Sequence, residues 1–304
     1  MNNEVVAVVV TYNPPENIVQ NTKAIYEQVD GLLVVDNGSS SQSTNQFETI
    51  ANWPNATVIR YEKNLGIATA INQGFQWAIN HGFEYVLTLD QDSFPHPQMV
   101  HKLLEVFNSH PLAAKVAVVG PNAIDGSFQI RSRHLRPTGK FTYELITCKN
   151  GWLDEVLFVI TSGSLCKVSV YQNIGPFQDV FFIDYIDIEY CLRACSLGYK
   201  VVVVCDALLS HNLGHRKERK LFGFKVYPRF HPPSRWYYQS RNRISLLMKY
   251  TSEFPFLIFY ELVNLSYGVV RMLIFEDLRL DKIRAIIMGT FHGLANKMDM
   301  HFDH

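Results

Sequence analysis

Short apolar runs alternate with helical patterns along the first two thirds of the chain. The runs are typical of buried strands and cover residues 5–10, 32–35, 57–60, 85–89, 116–119 and 201–204. Between the first two, a helix is predicted to start at Pro14-Pro15 and to carry Ile18, Thr22, Ile25 and Val29 at helical spacing. Continuous apolar strands that alternate with helices predict an α/β fold with a mainly parallel sheet covered on both faces.

An acidic pair closes the fourth of these runs, at Asp90-Gln91-Asp92. Alternate residues of a strand point to opposite faces, so both carboxylates reach one site only if the chain turns, and Ser93, Pro95 and Pro97 favour such a turn. Carboxylate oxygens suit Mg²⁺ or Mn²⁺, and the carboxyl end of a strand is where open α/β sheets bind ligands. The alternative is an acidic loop that caps the next helix.

Composition and the first strand exclude several classes of protein. Lys+Arg 28 balances Asp+Glu 28, so no global field attracts nucleic acid, and no nucleic-acid partner is expected. The first strand runs into Thr11, Tyr12 and Asn13 rather than into a Gly-rich phosphate loop. This argues against dinucleotide-dependent oxidoreductases, P-loop enzymes and sugar nucleotidyltransferases. At this strand end, Tyr12 is either a platform for stacking a base or an ordinary edge aromatic.

Two further segments have both a ligand-binding and a structural interpretation. Asp36 ends the second strand, where a carboxylate can accept the imide N–H of uracil or thymine, but the sequence Asp-Asn-Gly-Ser also suits an Asx-turn. From Asn64 onward, a helix start contains small residues that allow close approach of a ligand or of a strand. These are Gly66, Ala68, Ala70 and Gly74.

Taken in order, these segments resemble family 2 inverting glycosyltransferases with the GT-A fold. The matching segments are 8–15, 35–40, 64–74, 89–93, 161–165, 182–193, 210–214 and 233–243, and together they span roughly residues 5–250. Within the family, Phe-Ile-Asp-Tyr-Ile-Asp-Ile-Glu at 182–189 and the Arg-Trp-Tyr-Tyr segment at 235–238 look most like bacterial rhamnosyltransferases of surface-polysaccharide (O-antigen) assembly. Pro232 stands where processive synthases have Gln, so processive addition is not expected.

The resemblance implies a donor site and a metal site. Asp36 would read the base, Asp90 would hold the ribose, and Asp92 with His211 would complete a Mg²⁺ or Mn²⁺ site at the diphosphate. The residues expected to bind the nucleotide sugar are Thr11, Tyr12, Asn13, Asp36, Asn64, Gly66, Asn72, Asp90, Gln91, Arg235 and Arg241. The expected metal ligands are Asp90, Asp92 and His211. The stretch from about His211 to Lys249 is basic and aromatic, and its basic residues include Arg216, Lys217, Arg219, Lys220, Arg229, Arg235, Arg241 and Arg243. Of these, Arg235 and Arg241 would bind a diphosphate; the alternative is that this stretch is a solvated surface.

The resemblance also implies a general base at Asp187, six residues before Arg193. The family often has an acidic residue immediately before the base, where this chain has Ile186, so Asp184 and Glu189 remain rival candidates. A purely structural alternative is an acidic helix start balanced by Arg193.

The very apolar segment 254–275 carries a narrow polar stripe of Glu261, Asn264, Gly268 and Arg271. The stripe favours a helix lying in a membrane interface or docked on protein over a true span. Its apolar face is predicted to reach the headgroups through Leu257, Ile258, Leu262, Leu265, Val269, Met272 and Leu273. Positive charge from Lys282, Arg284 and Lys297 is expected to add attraction to anionic lipid.

These inferences predict a GT-A catalytic domain at 1–250 and a C-terminal amphipathic helical region at 251–304. The expected activity is transfer of one L-rhamnose from dTDP-L-rhamnose to a polyprenyl-diphosphate-linked oligosaccharide. The alternatives are a UDP-sugar donor or a nucleotide-sugar-binding protein without turnover. The N-terminus has no signal-peptide pattern, and Cys191 and Cys195 are predicted to be thiols rather than metal ligands. The expected location is cytoplasmic, peripheral to the inner face of the membrane.

Overall fold

The computed structural model describes residues 4–125, 130–211, 218–221, 224–228 and 230–302. Asn212, Leu213 and Gly214 of the predicted motif, and the basic residues Arg216, Lys217 and Arg229, lie outside these ranges. The chain forms two compact units. The sheet unit comprises Met1–Pro137, Glu144–Phe182 and Ile186–Asn212, and the helical unit comprises Thr138–Tyr143, Ile183–Tyr185 and Leu213–His304. A domain boundary at residue 250 stays a prediction.

The sheet unit is built on a nine-stranded, mostly parallel sheet of the predicted kind. Its strands are β1 (Val5–Thr11), β2 (Gly31–Asp36), β3 (Ala56–Arg60), β4 (Tyr85–Asp90), β5 (Ser93–Pro95), β6 (Val116–Asp125), β9 (Trp152–Val156), β10 (Leu165–Lys167) and β11 (Lys200–His211). The order is β3-β2-β1-β4-β10-β6-β11-β5, with β9 beside β11. The short strands β5, β9 and β10 pair antiparallel. A separate two-stranded sheet joins β7 (Arg133–Pro137) to β8 (Tyr143–Thr147).

Helices cover this sheet. They are α1 (Ile18–Tyr26), α2 (Thr44–Ala51), α3 (Ile67–Asn80), α4 (Met99–Ser109), α5 (Val168–Ile174) and α6 (Ile186–Ser196). The first helix begins at Ile18 rather than at the proline pair, and Val29 lies beyond its end. Gly74 of α3 packs directly on the Val8 side chain, where a Cβ atom would clash. Its small size therefore serves helix–sheet packing.

The parallel register brings the polar strand ends to one edge. Thr11 of β1 lies opposite Asp36 of β2, and Val10 lies opposite Asp90 of β4. The strand interiors are almost completely buried, as continuous apolar runs require. The sheet core therefore fixes where the polar residues at the strand ends can lie.

A disulfide joins Cys148 to Cys205 of β11, a pairing that the cysteine spacing did not predict. Cys166, Cys191 and Cys195 are thiols in the structure, and Cys166 and Cys191 are buried. Burial raises the pKa of the Cys166 thiol to about 12, so this thiol is unreactive at neutral pH.

The helical unit contains α7 (Pro233–Tyr250), α8 (Phe256–Phe275) and α9 (Arg279–Leu294), with a hairpin of β12 (Arg219–Leu221) and β13 (Phe224–Val226). Helices α7 and α9 cross closely at glycines. A Cβ atom at Gly293 would lie 2.7 Å from the Arg241 carbonyl oxygen, and one at Gly289 would clash with the Tyr237 carbonyl oxygen. Close approach of the two backbones therefore requires glycine at both positions.

Helix α8 buries two of the four residues of its polar stripe and exposes much of its apolar surface, while Asn264 of the stripe is exposed and Arg271 is half-buried. Glu261 and Gly268 are buried, whereas a band of large apolar side chains is exposed: Ile258, Phe259, Leu262, Val263, Tyr267, Val270, Leu273 and Ile274. The predicted apolar face was wrong at Leu257 and Met272, which are buried because they pack on the inner side with the stripe. Within the described ranges, α8 is the one helix long and apolar enough to cross a membrane, by length and composition only.

The expectation that Lys282 attracts lipid was also wrong. Its ammonium group is buried and lies 2.9 Å from the Glu276 carboxylate. Arg284 and Lys297 are exposed, as that expectation requires.

Candidate functional site

Asp90, Asp92 and His211 form an acidic cluster with one imidazole. The ligand atoms that these side chains offer all lie within 4.8 Å of one another. Asp90 ends β4, the chain turns through Asp92 into β5, and β5 pairs antiparallel with β11 so that Ser93 lies opposite His211. The predicted turn is therefore present, and it gathers the three expected ligands.

Two buried serines hold this cluster from behind. The Ser162 hydroxyl accepts the Asp90 N–H at 3.0 Å and lies 2.7 Å from the Ser93 hydroxyl. Ser93 Oγ in turn lies 2.7 Å from His211 Nδ1, and that nitrogen is 3.6 Å from Asp92 Oδ1. This contact holds the ring beside the two carboxylates, so that an imidazole nitrogen can join them as a ligand atom. Sequence reasoning missed these supporting roles, although both serines lie within segments that carry the family resemblance.

The donor set fits the expected ion. Two carboxylates and one imidazole are ligands that Mn²⁺ and Mg²⁺ accept, and all three residues are partly exposed rather than sealed in the core. In particular, the Asp92 side chain is 38% exposed. Such a site retains room for ligands from a bound molecule, as metal ions beside phosphates require.

The ends of β1, β2 and β4 are tied together by side chains. Gln91 accepts the Tyr12 N–H at 2.8 Å and donates to the Tyr12 carbonyl at 3.2 Å. Asn13 donates its N–H to Ser39 Oγ at 2.7 Å and accepts the Ser40 N–H at 3.0 Å. The structure therefore brings Tyr12, Asn13 and Gln91 to one rim, where the Tyr12 side chain is exposed enough to stack on a planar ligand.

Asp36 is fully buried at the neighbouring strand end. It accepts the Ser39 N–H at 3.2 Å and the Ser39 hydroxyl, and its other oxygen pairs with Arg60 Nε at 3.2 Å. Thr11 Oγ1 lies 3.4 Å away. The Asp36 carboxylate therefore makes the local hydrogen bonds of an Asx-turn, and its role in recognising a base stays a prediction.

Asn64, Gly66 and Asn72, which were predicted to bind the donor, contact the stretch of chain before α6 that includes Phe177 and Phe182. The Asn64 side chain accepts the Gly66 N–H at 2.9 Å. Gly66 has a φ of +92° and packs against Phe182, so a Cβ atom added at Gly66 would lie only 2.9 Å from the Phe182 Cα. Asn72 donates to the Phe177 carbonyl at 2.8 Å and accepts the Tyr171 hydroxyl at 3.0 Å. These contacts are structural, and donor contacts of Asn64, Gly66 and Asn72 stay a prediction.

Asp187 lies in the first turn of α6 and accepts the Ile188 N–H at 2.9 Å. It contributes to the wall of a small, mostly apolar cavity that includes residues of β4, β6 and the 159–166 segment. The cavity is lined by Thr88, Val118, Val159, Ile160, Thr161, Ser164, Cys166, Phe177, Asp187, Tyr190 and Cys191. Thr88 belongs to β4, two residues before Asp90. Asp187 thus lines the same cavity as the strand that leads into the acidic cluster.

The two rival acids are held by guanidinium groups. Glu189 is 1% exposed, and both of its oxygens pair with Arg193, at 3.2 and 2.9 Å. In the helical unit, both Asp184 oxygens accept bonds from Arg235, at 2.9 and 3.0 Å. Of the three candidates, Asp187 is the one that lines the cavity.

The predicted diphosphate-binding arginines bind protein oxygens. Arg235 forks onto Asp184, and Arg241 is fully buried and donates to the Met298 and Met300 carbonyls at 2.8 and 2.6 Å. Burial lowers the pKa of the Arg241 guanidinium from its ordinary value. Arg241 therefore anchors the C-terminal segment, and donor binding by either arginine stays a prediction.

Comparisons with known sequences point to one family. The profile of "Glycosyl transferase family 2" matches residues 6–175. The dTDP-rhamnosyl transferase RfbF of Shigella flexneri is 29% identical over 262 residues, which cover 82% of this chain and 81% of that protein. The amylovoran biosynthesis glycosyltransferase AmsE of Erwinia amylovora is 24% identical over 218 residues, covering 69% and 76%.

Comparisons with solved structures show the same fold at low identity. GalNAc-T7 with UDP, GalNAc and Mn²⁺ superposes with a TM-score of 0.62 at 12% identity, over 83% of this chain and 50% of that one. This chain thus spans half the length of GalNAc-T7. TarS 1–349 of S. aureus in complex with UDP-GlcNAc gives a TM-score of 0.59 at 16% identity, over 97% of this chain and 83% of that one.

Proposed function

Because the chain belongs to glycosyl transferase family 2 and has the GT-A fold, we propose that this glycosyltransferase moves one L-rhamnosyl group from dTDP-L-rhamnose to a lipid-linked glycan. The observation that carries the donor assignment is the 29% identity to a dTDP-rhamnosyl transferase over 82% of the chain. The acceptor is a polyprenyl-diphosphate-linked oligosaccharide of bacterial polysaccharide synthesis, a class of pathway to which AmsE also belongs by name.

Asp90, Asp92 and His211 would hold a Mg²⁺ or Mn²⁺ ion beside the donor diphosphate, which is supported by their clustering within 4.8 Å. When bound, the ion neutralises charge that develops on the departing dTDP. Ser93 and Ser162 keep the ligands in place through their hydrogen bonds. Tyr12, Asn13 and Gln91 form the rim on which the nucleoside rests. Thr11, at the end of β1, is buried and lies beside Asp36.

For Asp36 to recognise the base, one of its present hydrogen-bond donors must be replaced by the base. Its buried carboxylate accepts the Ser39 hydroxyl, so the imide N–H of thymine would replace that hydroxyl as a donor. Such an exchange keeps the carboxylate hydrogen-bonded throughout, which a buried charge requires.

Asp187 acts as the general base. Its carboxylate takes the proton of the acceptor hydroxyl while that oxygen attacks the anomeric carbon, and the bond from this carbon to the diphosphate oxygen breaks on the opposite face. The product has inverted configuration, dTDP leaves with the bonding electron pair, and the proton resides on Asp187 until solvent removes it. The place of Asp187 in the cavity wall beside β4 supports this role.

The enzyme associates peripherally with the inner face of the cytoplasmic membrane. The exposed apolar band of α8 is supported by further exposed apolar side chains of α9, at Ile287, Phe291 and Leu294. An apolar helix face of this kind enters the headgroup boundary, where a lipid-linked acceptor resides. The exposed Arg284 and Lys297 add electrostatic attraction to anionic lipid.

Calorimetric titration of the full chain with Mn²⁺ and dTDP-L-rhamnose, UDP-glucose or UDP-GlcNAc tests the donor. We expect dTDP-L-rhamnose to bind at least about tenfold more tightly, a difference of 1.4 kcal/mol. Tighter binding of a UDP-sugar would overturn the donor assignment. Tight binding of dTDP-L-rhamnose without release of dTDP, in the presence of lipid-linked acceptor, would instead indicate a binding protein without turnover.

A further inference from the structure

A strained turn precedes the proposed base. Phe182, Asp184 and Tyr185 have φ values of 60°, 62° and 65°, in the left-handed region that residues other than glycine rarely adopt. Tyr185 is followed at once by Ile186, the first residue of α6. Such backbone persists only where surrounding contacts hold it, and it concentrates at functional sites.

Helix α7 holds this turn through one of its faces. The Asn242 amide is fully buried and donates to the carbonyls of Ile183 and Asp184 at 2.9 and 3.0 Å. Arg235 forks onto both oxygens of Asp184, and Gln239 adds a longer bond of 3.4 Å. Positions 235, 239 and 242 follow helical spacing, so a single face of α7 supplies all of these donors.

Helix α8 holds the next residue of the turn. The Tyr185 hydroxyl donates to Glu261 Oε2 at 2.6 Å, and Arg243 Nε donates to the same oxygen at 2.9 Å. The Arg243 guanidinium also lies 5.5 Å from the centre of the Tyr185 ring. Burial raises the pKa of Tyr185 well above its ordinary value of 10, so the hydroxyl stays a neutral donor.

We propose that Arg235, Asn242 and the Arg243–Glu261 pair are positioning residues that hold the strained turn and thereby set the place of the Asp187 carboxylate. The inference rests on the proposed function of Asp187 as the base. It assigns to Arg235 a role different from gripping a donor diphosphate. A positioning residue lowers turnover and leaves donor affinity unchanged, whereas a diphosphate ligand lowers donor affinity.

Two variants of the full chain test the proposal, Arg235→Gln and Tyr185→Phe, the latter removing only one hydroxyl. The assay measures Mn²⁺-dependent hydrolysis of dTDP-L-rhamnose, in which water takes the place of the acceptor, and calorimetry measures binding of dTDP. A displacement of about 1 Å costs on the order of 100-fold in rate, so we expect kcat to fall about 10- to 100-fold with dTDP affinity and donor KM unchanged. Lys249→Gln removes one charge from an exposed position of the same helix and is the matched control.

The Arg235→Lys variant distinguishes the effect of the two-pronged hydrogen bond to Asp184 from the effect of the positive charge. Lysine keeps the positive charge but cannot bond both Asp184 oxygens, so it should restore kcat only partly. Weaker dTDP binding with unchanged kcat in Arg235→Gln, or full turnover in both Arg235→Gln and Tyr185→Phe, would overturn the proposal. If Arg235→Gln does not fold, Tyr185→Phe decides alone. Full turnover of Asp187→Asn would instead overturn the proposed base, and this inference would fall with it.

Discussion

The Ser93 hydroxyl lies 2.7 Å from Nδ1 of His211, although 118 positions separate the two residues in sequence. The contact exists because β5, only three residues long, pairs antiparallel with the end of β11. It fixes the imidazole ring next to Asp92, whose Oδ1 lies 3.6 Å from the same ring nitrogen. The acidic turn and the histidine therefore form one preorganised unit.

Removal of the metal or of its principal ligand should stop the reaction. Losing several kcal/mol of charge stabilisation corresponds to about 100-fold or more in rate, so Asp92→Asn and EDTA treatment of the native enzyme should each lower turnover by that amount. Release of dTDP from dTDP-L-rhamnose is the measurement. Unchanged turnover in EDTA, with Mg²⁺ and Mn²⁺ excluded, would refute the metal's role.

Ser93→Ala should weaken metal binding without abolishing it. Loss of a partner that orients a metal-bound histidine typically costs 10- to 100-fold in affinity, so the Mn²⁺ concentration for half-maximal activity should rise by about tenfold or more. A titration of activity with Mn²⁺ measures this. Ser109→Ala, at an exposed position that ends α4, is the control and should leave the titration unchanged.

Asp187→Asn should lower kcat by about 10²- to 10⁴-fold while dTDP binding stays nearly intact, because general-base assistance is worth that much. Glu189→Gln should mainly lower stability, since Arg193 would lose its carboxylate partner. If Asp187→Asn keeps its rate while Asp184→Asn or Glu189→Gln loses it under conditions where each is folded, the base lies elsewhere.

The unfolding free energy should fall between pH 6.5 and pH 4 because of His134. Burial lowers the pKa of His134 to about 4, and its Nε2 has no hydrogen-bond partner within the described part of the chain. Below pH 6.5 the unfolded chain binds a proton that the folded chain excludes, so stability decreases as pH falls. At pH 5 the loss should be about 2 kcal/mol. Urea unfolding of His134→Gln should show a correspondingly smaller change between pH 7 and pH 5.

Membrane association should depend on the outer side of α8. Phe259→Glu and Leu262→Glu place charge in the exposed band and should reduce co-flotation with anionic liposomes at low salt, while donor hydrolysis continues. Leu197→Glu, at a similarly exposed apolar position of the sheet unit, should float like the native protein. Absence of native co-flotation would mean that the band packs against protein.

Elements with a strong local signal were predictable, and elements made by long-range contact were not. Continuous apolar runs such as those of β1 and β4 predict buried parallel strands, and the prolines after Asp92 predict the turn. The short strands β5 and β10 have three residues each and too little pattern to be recognised. The burial of Arg241 and the fork of Arg235 on Asp184 depend on partners 59 and 51 positions away, which spacing alone does not reveal.

The burial of Glu261 and Gly268 in α8 bears on how a form of this enzyme that does not bind lipid can be prepared. Truncating the chain before α8 would also delete α9, and it would remove the Glu261 carboxylate that Tyr185 and Arg243 share. It would also expose the Trp236 side chain. Gly268 packs so closely on this side chain that a Cβ atom added at Gly268 would lie 3.3 Å from the indole ring. The helix is thus bound to the protein through the buried Glu261, while its large exposed side chains are apolar. A more soluble form is therefore better obtained by replacing the exposed apolar residues of α8 with polar ones than by shortening the chain.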